Sequence, residues 1–511
     1  MSEHAHPLPA PASADPVQRL LEVTALLEAV AGGQVVLDGL TDEQRRRLIT
    51  AAGDVFCPDV SERRLRTKAR QKRDRDAKSA RDESLMAGTG IRVLRDRPVF
   101  TTPNVFAPTV PGTDAGADDR EVNEPQHCYV CKRKYSVLHA FYDQMCGTCG
   151  EFNYAKRGET ADLTGRVALL TGGRVKIGYQ AGIKLLRAGA QLIVTTRFAR
   201  DCAERYAAEP DFDEWGERLE VFGLDLRHTP SVEAFCTHLL RTHDRLDFVV
   251  NNACQTVRRP PEFYRHMLEL EGRAEQDMAT STRRVLGAYE GLRRSDMLTI
   301  EPSAPDDFIG LTRPAELSQA ALLAEDGTLA KHLMPVGRLD QDLQQVDLRE
   351  RNSWRLLLDE VSSVELLETQ LVNAVAPFVL NARLKPLMLR TPNRDKHIVN
   401  VSAVEGQFYR RFKTTRHPHT NMAKAALNMM TRTSAADYQA SGIHMNSVDT
   451  GWVSDEDPVH IAERKTTEHG FRPPLDIVDG AARIVDPIID GIKTGHHRWG
   501  QFLKDYRPTD W

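Results

Sequence analysis

The sequence predicts an α/β fold with a doubly wound parallel sheet, and three observations carry that expectation. Apolar runs of strand length alternate with amphipathic helical stretches from Asp162 onward. The first of these strands runs into a glycine turn that opens a helix. The alternation is broken once, after Gln255, by about one hundred residues rich in charge and in Pro and Gly clusters, and then resumes.

Taken in order, "RVALLTGG" is an apolar strand and turn, and "GYQAGIKLLRAGA" is a helix with apolar spacing of three and four. "QLIVTTR", "LEVFGLDL" and "LDFVVNNA" are further strands, separated by the helical stretches "FARDCAERYAAE" and "SVEAFCTHLLRTHD". Beyond the break come the helix "VELLETQLVNAVAPFVLNARL", the strand "HIVNVSA", the helix "TNMAKAALNMMTRTSAADYQ", the strand "HMNSVDTG" and the helix "IVDGAARIVDPIIDGI". The end, "GHHRWGQFLKDYRPTDW", predicts a last strand and a packed terminus. There is no internal repeat. The expected organisation is a disordered tail over 1–15 and a helical and irregular extension over 16–120. A small unit comes next over 121–160, then the sheet domain over 161–511, with an insertion at about 256–350.

The 511 residues are 41% hydrophobic and 27% charged, which is the composition of a globular chain. A net charge of −4 argues against a general nucleic-acid binder. The basic run "SERRLRTKARQKRDRDAKSARDE" has no aromatic residue to stack a base, so a solvated helix is the expectation for it. No apolar run is long enough to cross a bilayer, and "MSEHAHPLPAPASADP" lacks the pattern of a secretory signal. Scattered single cysteines (Cys57, Cys202, Cys236, Cys254) do not form a disulfide framework, and a reducing cytoplasm is expected.

The other four cysteines lie together in "CYVCKRKYSVLHAFYDQMCGTCG", a C-x2-C-x14-C-x2-C pattern. Two such knuckles offer four thiolates to one tetrahedral ion, so Cys128, Cys131, Cys146 and Cys149 are the expected ligands of a structural zinc. Gly147 and Gly150 are expected to relieve the second turn. His127 and His139 are alternative ligands. A unit of this size has too little core to fold alone, so metal binding is expected to supply its stability. It would staple the N-terminal region to the sheet domain or dock a partner.

The glycine turn, together with motifs further along the chain, resembles the short-chain dehydrogenase/reductase superfamily, whose members carry a Rossmann fold. The superfamily has T-G-x-x-x-G-x-G where this chain has Thr171, Gly172, Gly173, Arg174, Lys176, Ile177 and Gly178, with Lys176 at the middle glycine. The resemblance implies a pyrophosphate seated on the helix N-terminus. After Thr196 the second strand ends in Arg197, where an acidic residue would bind the ribose of NAD. An arginine there, joined by Arg174, favours the 2′-phosphate of NADP(H), with NAD as the alternative. "GLDLR" resembles the third-strand motif and implies Asp225 and Leu226 near the adenine. "VVNNAC" resembles the NNAG stretch, with Asn252 and Ala253 in place and Cys254 for glycine. "NSVDTGWVS" resembles N-x-V-x-P-G, which implies that Thr450, Gly451 and Val453 cover the nicotinamide and that Ser454 lies near the pyrophosphate.

The superfamily's catalytic tetrad is Asn, Ser, Tyr and Lys. "QLVNAVAPF" resembles the asparagine segment through Asn373, and "HIVNVSAVEG" resembles the serine strand, with Ser402 one place before the usual position, now Ala403. A one-residue shift on a strand turns a side chain to the other face. Lys424 in "HPHTNMAKAAL" matches the lysine that holds the ribose and acidifies the tyrosine, but Thr420 stands where the tyrosine belongs. Threonine can donate a hydrogen bond or relay through water, yet it is no phenol. The replacement acids close in sequence are Tyr409, which keeps the phenol chemistry and is preferred, then His417 and His419, with Glu405 also near. His417 lies seven places before Lys424, a spacing that resembles the enoyl reductase branch.

The resemblance therefore implies an oxidoreductase that moves hydride between a nicotinamide and a carbonyl or alcohol of a small-molecule substrate. The competing class is a catalytically silent NADP(H)-binding scaffold or sensor whose zinc unit and insertion are partner surfaces; homo-oligomerisation is open in either case. In the insertion, Arg258 and Arg259 are candidates for an anionic ligand or for exposed loop positions.

Overall fold

In the computed structural model the described residues are 15–33, 37–56, 60–103, 120–298, 311, 313–328, 331–409 and 413–511. The tail expected over 1–15 falls almost wholly outside them. The chain divides into two compact units, Met1–Ala80 and Arg81–Trp511. The first carries helices α1 (Pro16–Ala31), α2 (Asp42–Phe56) and most of α3 (Val60–Ala87). The basic run forms α3, and its described side chains up to residue 80 are exposed, as a solvated helix requires. Within the extension expected to be helical and irregular, α3 continues to Ala87 and α4 (Gly90–Arg95) follows.

The second unit is organised by an eight-stranded sheet. Its strands are β3 (Val167–Thr171), β4 (Gln191–Thr196), β5 (Leu219–Gly223), β6 (Phe248–Asn251), β7 (Lys396–Ser402), β8 (Ile443–Asp449), β9 (Phe502–Lys504) and β10 (Arg507–Thr509). Their order is β10-β9-β8-β7-β6-β3-β4-β5, parallel throughout except for the terminal β9–β10 hairpin. β1 (Glu121–His127) and β2 (Lys134–Val137) form a separate antiparallel ribbon. β3, β7 and β8 are buried along their whole length; β3 reads as a near-continuous apolar run, while β7 and β8 also bury His, Asn and Ser side chains. The main core joins Leu169 and Leu170 of β3, Val194 of β4 and Ile398 of β7 to Ile484 and Ile488 of the last long helix.

The order of strands reverses between β3 and β6, and a doubly wound sheet opens its ligand crevice at such a point. The helices of this unit include α5 (Gly147–Gly158), α6 (Lys176–Arg187), α7 (Ala199–Ala207), α8 (Thr229–Thr242) and α9 (Pro261–Gly272). They are followed by α10 (Ser363–Gln370), α11 (Ala376–Met388), α12 (Pro418–Ala440), α13 (Val459–His469) and α14 (Ile477–Thr494). The terminus packs as expected: Trp511 stacks on Phe502 of β9 with ring centroids 6.0 Å apart.

A network of small polar side chains ties the centre of the sheet to its helices. Asn251 on β6 donates to Asn381 on α11 (2.9 Å) and to Asn400 on β7 (2.8 Å). Asn400 donates to Thr431 on α12 (2.9 Å), which in turn meets Ser447 on β8 (2.8 Å). Buried amides are costly unless bonded, so this chain of partners fixes α11 and α12 against the sheet in one register.

Candidate functional site

The turn after β3 is built for a close backbone approach. Gly172 has φ of +69°, and a Cβ there would stand 2.8 Å from Ala253 Cα. A Cβ on Gly178 would stand 2.2 Å from the Gly172 carbonyl oxygen and 2.4 Å from Asn252 Nδ2. Asn252 Nδ2 donates to the carbonyls of Thr171 (3.0 Å) and Gly172 (3.1 Å). Thr171 Oγ1 accepts from the backbone N–H of Asn252 and of Ala253, both at 3.0 Å. The N-terminus of α6 has no side-chain cap, so its leading amides are available to an anion. Lys176 takes a left-handed φ of +55°, the conformation that a glycine would adopt at little cost. These residues fit a dinucleotide pyrophosphate by the chemistry of their donors.

The insertion closes over this turn. Residues 338–346 form a hairpin, with Asp340 N–H donating to the Gln344 carbonyl (2.7 Å) and Val346 N–H to that of Arg338 (3.0 Å). Arg205 holds the tip through the carbonyls of Asp342 (3.1 Å) and Leu343 (3.2 Å), and Arg174 donates to Gln344 Oε1 (3.3 Å). Burial works against the charge of Lys176, yet Glu456, Asp342 and Asp340 together hold its pKa above the ordinary lysine value. An acidic hairpin thus faces the lysine of the phosphate turn.

Several residues expected at the cofactor have protein partners. Arg174 pairs with Asp201 at 2.7 Å. Arg197 donates to the Tyr264 hydroxyl (2.7 Å) with its guanidinium over that ring at 4.5 Å, and its charge also acts on the buried Asp225 carboxylate. Asp225 is buried and paired with Arg227 (2.7 Å), which also reaches Glu368 (2.7 Å), while Leu226 is buried beside it. Thr196 Oγ1 accepts from Phe198 N–H (3.2 Å). Ile177 packs on the core and against Gly480 of α14. Ser454 Oγ bonds Glu456 (2.7 Å), and Thr450 Oγ1 donates to the Gly451 carbonyl (3.2 Å). Arg258 pairs with Asp326 (2.7 Å) and Glu368 (3.1 Å), and Arg259 pairs with Asp347 (2.5 Å). Both arginines therefore tie the insertion together, a use that neither sequence expectation anticipated.

At the catalytic positions the structure separates the candidates. Lys424, buried on α12, donates through Nζ to the Val401 carbonyl (2.8 Å), next to Ser402 at the end of β7. Ser402 Oγ and Thr420 Oγ1 are buried and have no hydrogen-bond partner among the described residues. Asn373 sits in a π turn, Leu371–Val375, between α10 and α11, a local widening common at functional sites. Its side chain accepts from Gln255 N–H (2.7 Å) and donates to the Gln255 carbonyl (3.1 Å), pinning the loop after β6. Asn428, one turn beyond Lys424, is buried with both amide atoms unpartnered, and nothing in the sequence singled it out. Tyr409, the preferred acid from sequence, is 52% exposed and does not line the neighbouring cavity.

His417 does line it. This cavity, of about 360 Å³, is walled by His417 and Asn421 of the α12 start, Trp354 and Arg355 of the segment before α10, and Lys413, Arg416, Asp457 and Lys465. His417 caps α12 in a left-handed conformation (φ +44°) ahead of Pro418, and its ring stacks on Trp354 at 3.8 Å and 5°. A non-glycine residue held in this region is strained, and such strain clusters at working sites. Burial first, and His419 second, push His417 down to about 4, so its imidazole is neutral at physiological pH. His419 is buried instead against Glu365 at 3.5 Å.

The four cysteines come together. Cys128, Cys131, Cys146 and Cys149 place their Sγ atoms within 4.8 Å of one another, the one such group of His, Cys or carboxylates among the described residues. A tetrahedron with metal–sulfur bonds of about 2.3 Å has edges of about 3.8 Å; the Cys131–Cys146 separation is 3.8 Å. The donor set therefore fits a closed four-thiolate ion. Gly150 has a different reason from the one expected: a Cβ there would stand 2.5 Å from the His139 ring, whose Nδ1 accepts from Phe141 and Tyr142 N–H and whose Nε2 donates to Glu151 (3.1 Å) rather than replacing a thiolate. The left-handed turn is made by Lys132 (φ +64°) in the first knuckle.

This small unit is docked on the sheet domain. The Tyr129 hydroxyl, between the first two cysteines, accepts from Trp452 N–H (3.1 Å) in the segment Thr450–Ser454, and Val453 packs against the unit's core. Tyr142 donates to Asp479 (2.5 Å), and Arg157 pairs with Asp476 (2.6 Å) and Asp479 (2.9 Å) at the start of α14. The two carboxylates also form the capping box of that helix.

Comparison with known proteins agrees with this geometry. The sequence model of the family described as short chain dehydrogenase matches residues 166–269, and that described as enoyl-(acyl carrier protein) reductase matches 355–472. An uncharacterized protein of Acanthamoeba polyphaga mimivirus is 30% identical over 390 residues, 74% of this chain and 74% of that protein. Dehydrogenase/reductase SDR family member 13 of Bos taurus is 33% identical over 104 residues, but the match spans only 20% of this chain and 27% of that relative. A solved short chain dehydrogenase from Burkholderia cenocepacia in complex with NADP is 17% identical, with a TM-score of 0.41, over 67% of this chain and 97% of that one. The chain belongs to the short-chain dehydrogenase/reductase superfamily. Among its described residues no helix is long and apolar enough to cross a membrane.

Proposed function

We propose that this protein is an NADP(H)-dependent oxidoreductase acting on a carbonyl or alcohol, with a structural zinc in the four-cysteine cluster. The observation that carries the reading is Lys424, held beneath Ser402 at the mouth of the crevice, with the glycine turn intact on the other side of β6. The nicotinamide, when bound, supplies or accepts the hydride. The amides of Ile177 and Gly178 and the Lys176 ammonium would hold the pyrophosphate, and Arg197 with Arg174 the 2′-phosphate. Lys424 would hold the ribose, and Asn373 would keep the loop after β6 in place.

For the proton, the support lies with His417 and not with Tyr409. His417 is buried, lines the cavity, keeps Nδ1 unpartnered and is neutral near pH 7. In oxidation the neutral imidazole takes the alcohol proton as the hydride leaves for the nicotinamide; in reduction the ring first takes a proton from water, and the imidazolium gives it to the oxygen as hydride reaches the carbonyl carbon. The hydroxyls of Thr420 and Ser402 are buried and do not line that cavity, so no contact with the reacting oxygen is assigned to them. The zinc, closed by four thiolates, would take no part in the chemistry; it would hold the unit that buttresses Thr450–Ser454.

Two observations favour a second reading, a silent NADP(H)-binding scaffold: threonine at the tyrosine position, and Asp340 and Asp342 facing Lys176. Cofactor choice is tested by titrating NADPH and NADH into the full chain and into Arg197→Ala. The expectation is a loss of about tenfold to a hundredfold in NADPH affinity with NADH unchanged, since a charge-assisted phosphate contact is worth about 1.5–3 kcal/mol. Equal losses for both nucleotides would remove Arg197 from the 2′-phosphate.

A further inference from the structure

We infer that the cavity beside His417 takes a substrate bearing an anionic oxygen group, a carboxylate or a phosphate, on an apolar or planar body. The inference rests on reading this cavity as the substrate site of the proposed oxidoreductase. Its wall carries Arg355, Lys413, Arg416 and Lys465 against the carboxylates of Glu405 and Asp457. The pairing is uneven. Asp457 is shared by Arg355 (2.5 Å) and Lys465. Lys465 also takes Asp455 (3.0 Å). Arg416 donates to the Arg355 carbonyl (3.0 Å), an acceptor that fills one N–H without cancelling the charge. A guanidinium so placed presents further N–H groups in a fork suited to a carboxylate or phosphate.

The same cavity offers a flat face. Trp354 is partly exposed and stacked by His417, and Val404 completes an apolar edge. His417 is 3% exposed, with Nδ1 unpartnered. That is a polar atom left for something that enters the cavity, since buried polar groups without partners are rare and costly. A volume of about 360 Å³ suits a small molecule. The anionic end would seat at Arg416, and the body against Trp354. The carbonyl or alcohol oxygen would then meet His417.

The test is calorimetric binding of phenylphosphate, benzoate and benzyl alcohol to the full chain, with and without NADP+, and to Arg416→Gln. The two anions are expected to bind at least about tenfold more tightly than the neutral alcohol, and Arg416→Gln to lose about tenfold for the anions alone. Phenylphosphate against benzoate separates phosphate from carboxylate. Equal affinity for charged and neutral probes would overturn the inference, as would anion binding untouched by the substitution. Should Arg416→Gln fold poorly, raising KCl on the native chain serves instead: anion binding must weaken while benzyl alcohol stays constant, and salt-independent anion binding overturns the inference. Anion binding without any turnover of carbonyl compounds would retain the anion seat and remove the oxidoreductase reading.

Discussion

Replacing Arg157 by methionine tests how the cysteine unit is fixed to the sheet domain. Arg157 reaches Asp476 at 2.6 Å and Asp479 at 2.9 Å, and all three side chains are buried or nearly so. Methionine keeps much of the volume and removes the charge. The carboxylates then retain the hydrogen bonds of their cap amides and of the Tyr142 hydroxyl, with Arg95 and Arg483 as nearby cations. Breaking a buried pair costs about 3–5 kcal/mol because a charge is left uncompensated. Relief comes from protonation: burial first, and then the neighbouring Asp476, already hold Asp479 above the ordinary aspartate value. The loss should therefore fall near the lower end, about 3 kcal/mol. The unit from Arg81 to Trp511 has an unfolding entropy of about 0.9 kcal/mol/K on the usual per-residue scale, so its Tm should drop by about 3 °C. Calorimetry of the full chain measures this. Asp479→Asn added to Arg157→Met should recover part of the loss by removing one orphaned charge. A single variant with the native Tm, or a double variant less stable than the single one, would refute the reasoning.

The same geometry makes three further outcomes measurable. Cys146→Ser should lower bound zinc well below one equivalent by elemental analysis; a full equivalent retained would remove the four-thiolate assignment. Gly178→Ala drives a Cβ into the Gly172 carbonyl and Asn252, so the turn must open and nucleotide affinity should fall at least about tenfold by titration; native affinity would show that no phosphate uses this turn. His397, His444 and His497 form a cluster at the base of the sheet, with His397 Nε2 and His497 Nδ1 3.0 Å apart. Burial foremost lowers the pKa of all three, and the other histidines add to the effect on His397 and His444. The unfolded chain thus takes up protons first. The stability they contribute is whole above about pH 6.5 and falls as pH drops below it, by up to about 1.4 kcal/mol per pH unit for each histidine. Denaturation midpoints that are flat from pH 7 to 5 would contradict this.

Much of the sheet was legible because burial on both faces writes itself as apolar runs, as in "VALLT", with a glycine turn after it. The break at Gln255 was legible as a change of period, and the terminal strand as a short apolar run before Trp511. Long-range pairing was not. Nothing local to Arg174 or Lys176 announces a hairpin from residues 338–346, and nothing near Arg258 announces Asp326 and Glu368. The cysteine spacing was readable because chelation by two knuckles is local; the seat of that unit on Trp452 and α14 depends on residues more than three hundred positions away. Tyr409 was preferred on acidity, a property of the residue type. His417 is distinguished by burial, cavity and backbone strain, which only the fold confers.

The central claim is hydride transfer governed by Lys424, and NADPH deuterated at C4 tests it directly. The full chain is incubated with the labelled cofactor and a panel of carbonyl compounds that includes carboxylated and phosphorylated members, and the products are read by mass spectrometry. The account predicts one deuterium on the carbinol carbon of at least one product, and a fall in turnover of about a hundredfold or more in Lys424→Ala. Tight NADPH binding with no deuterium in any product, or undiminished turnover in Lys424→Ala, would contradict it.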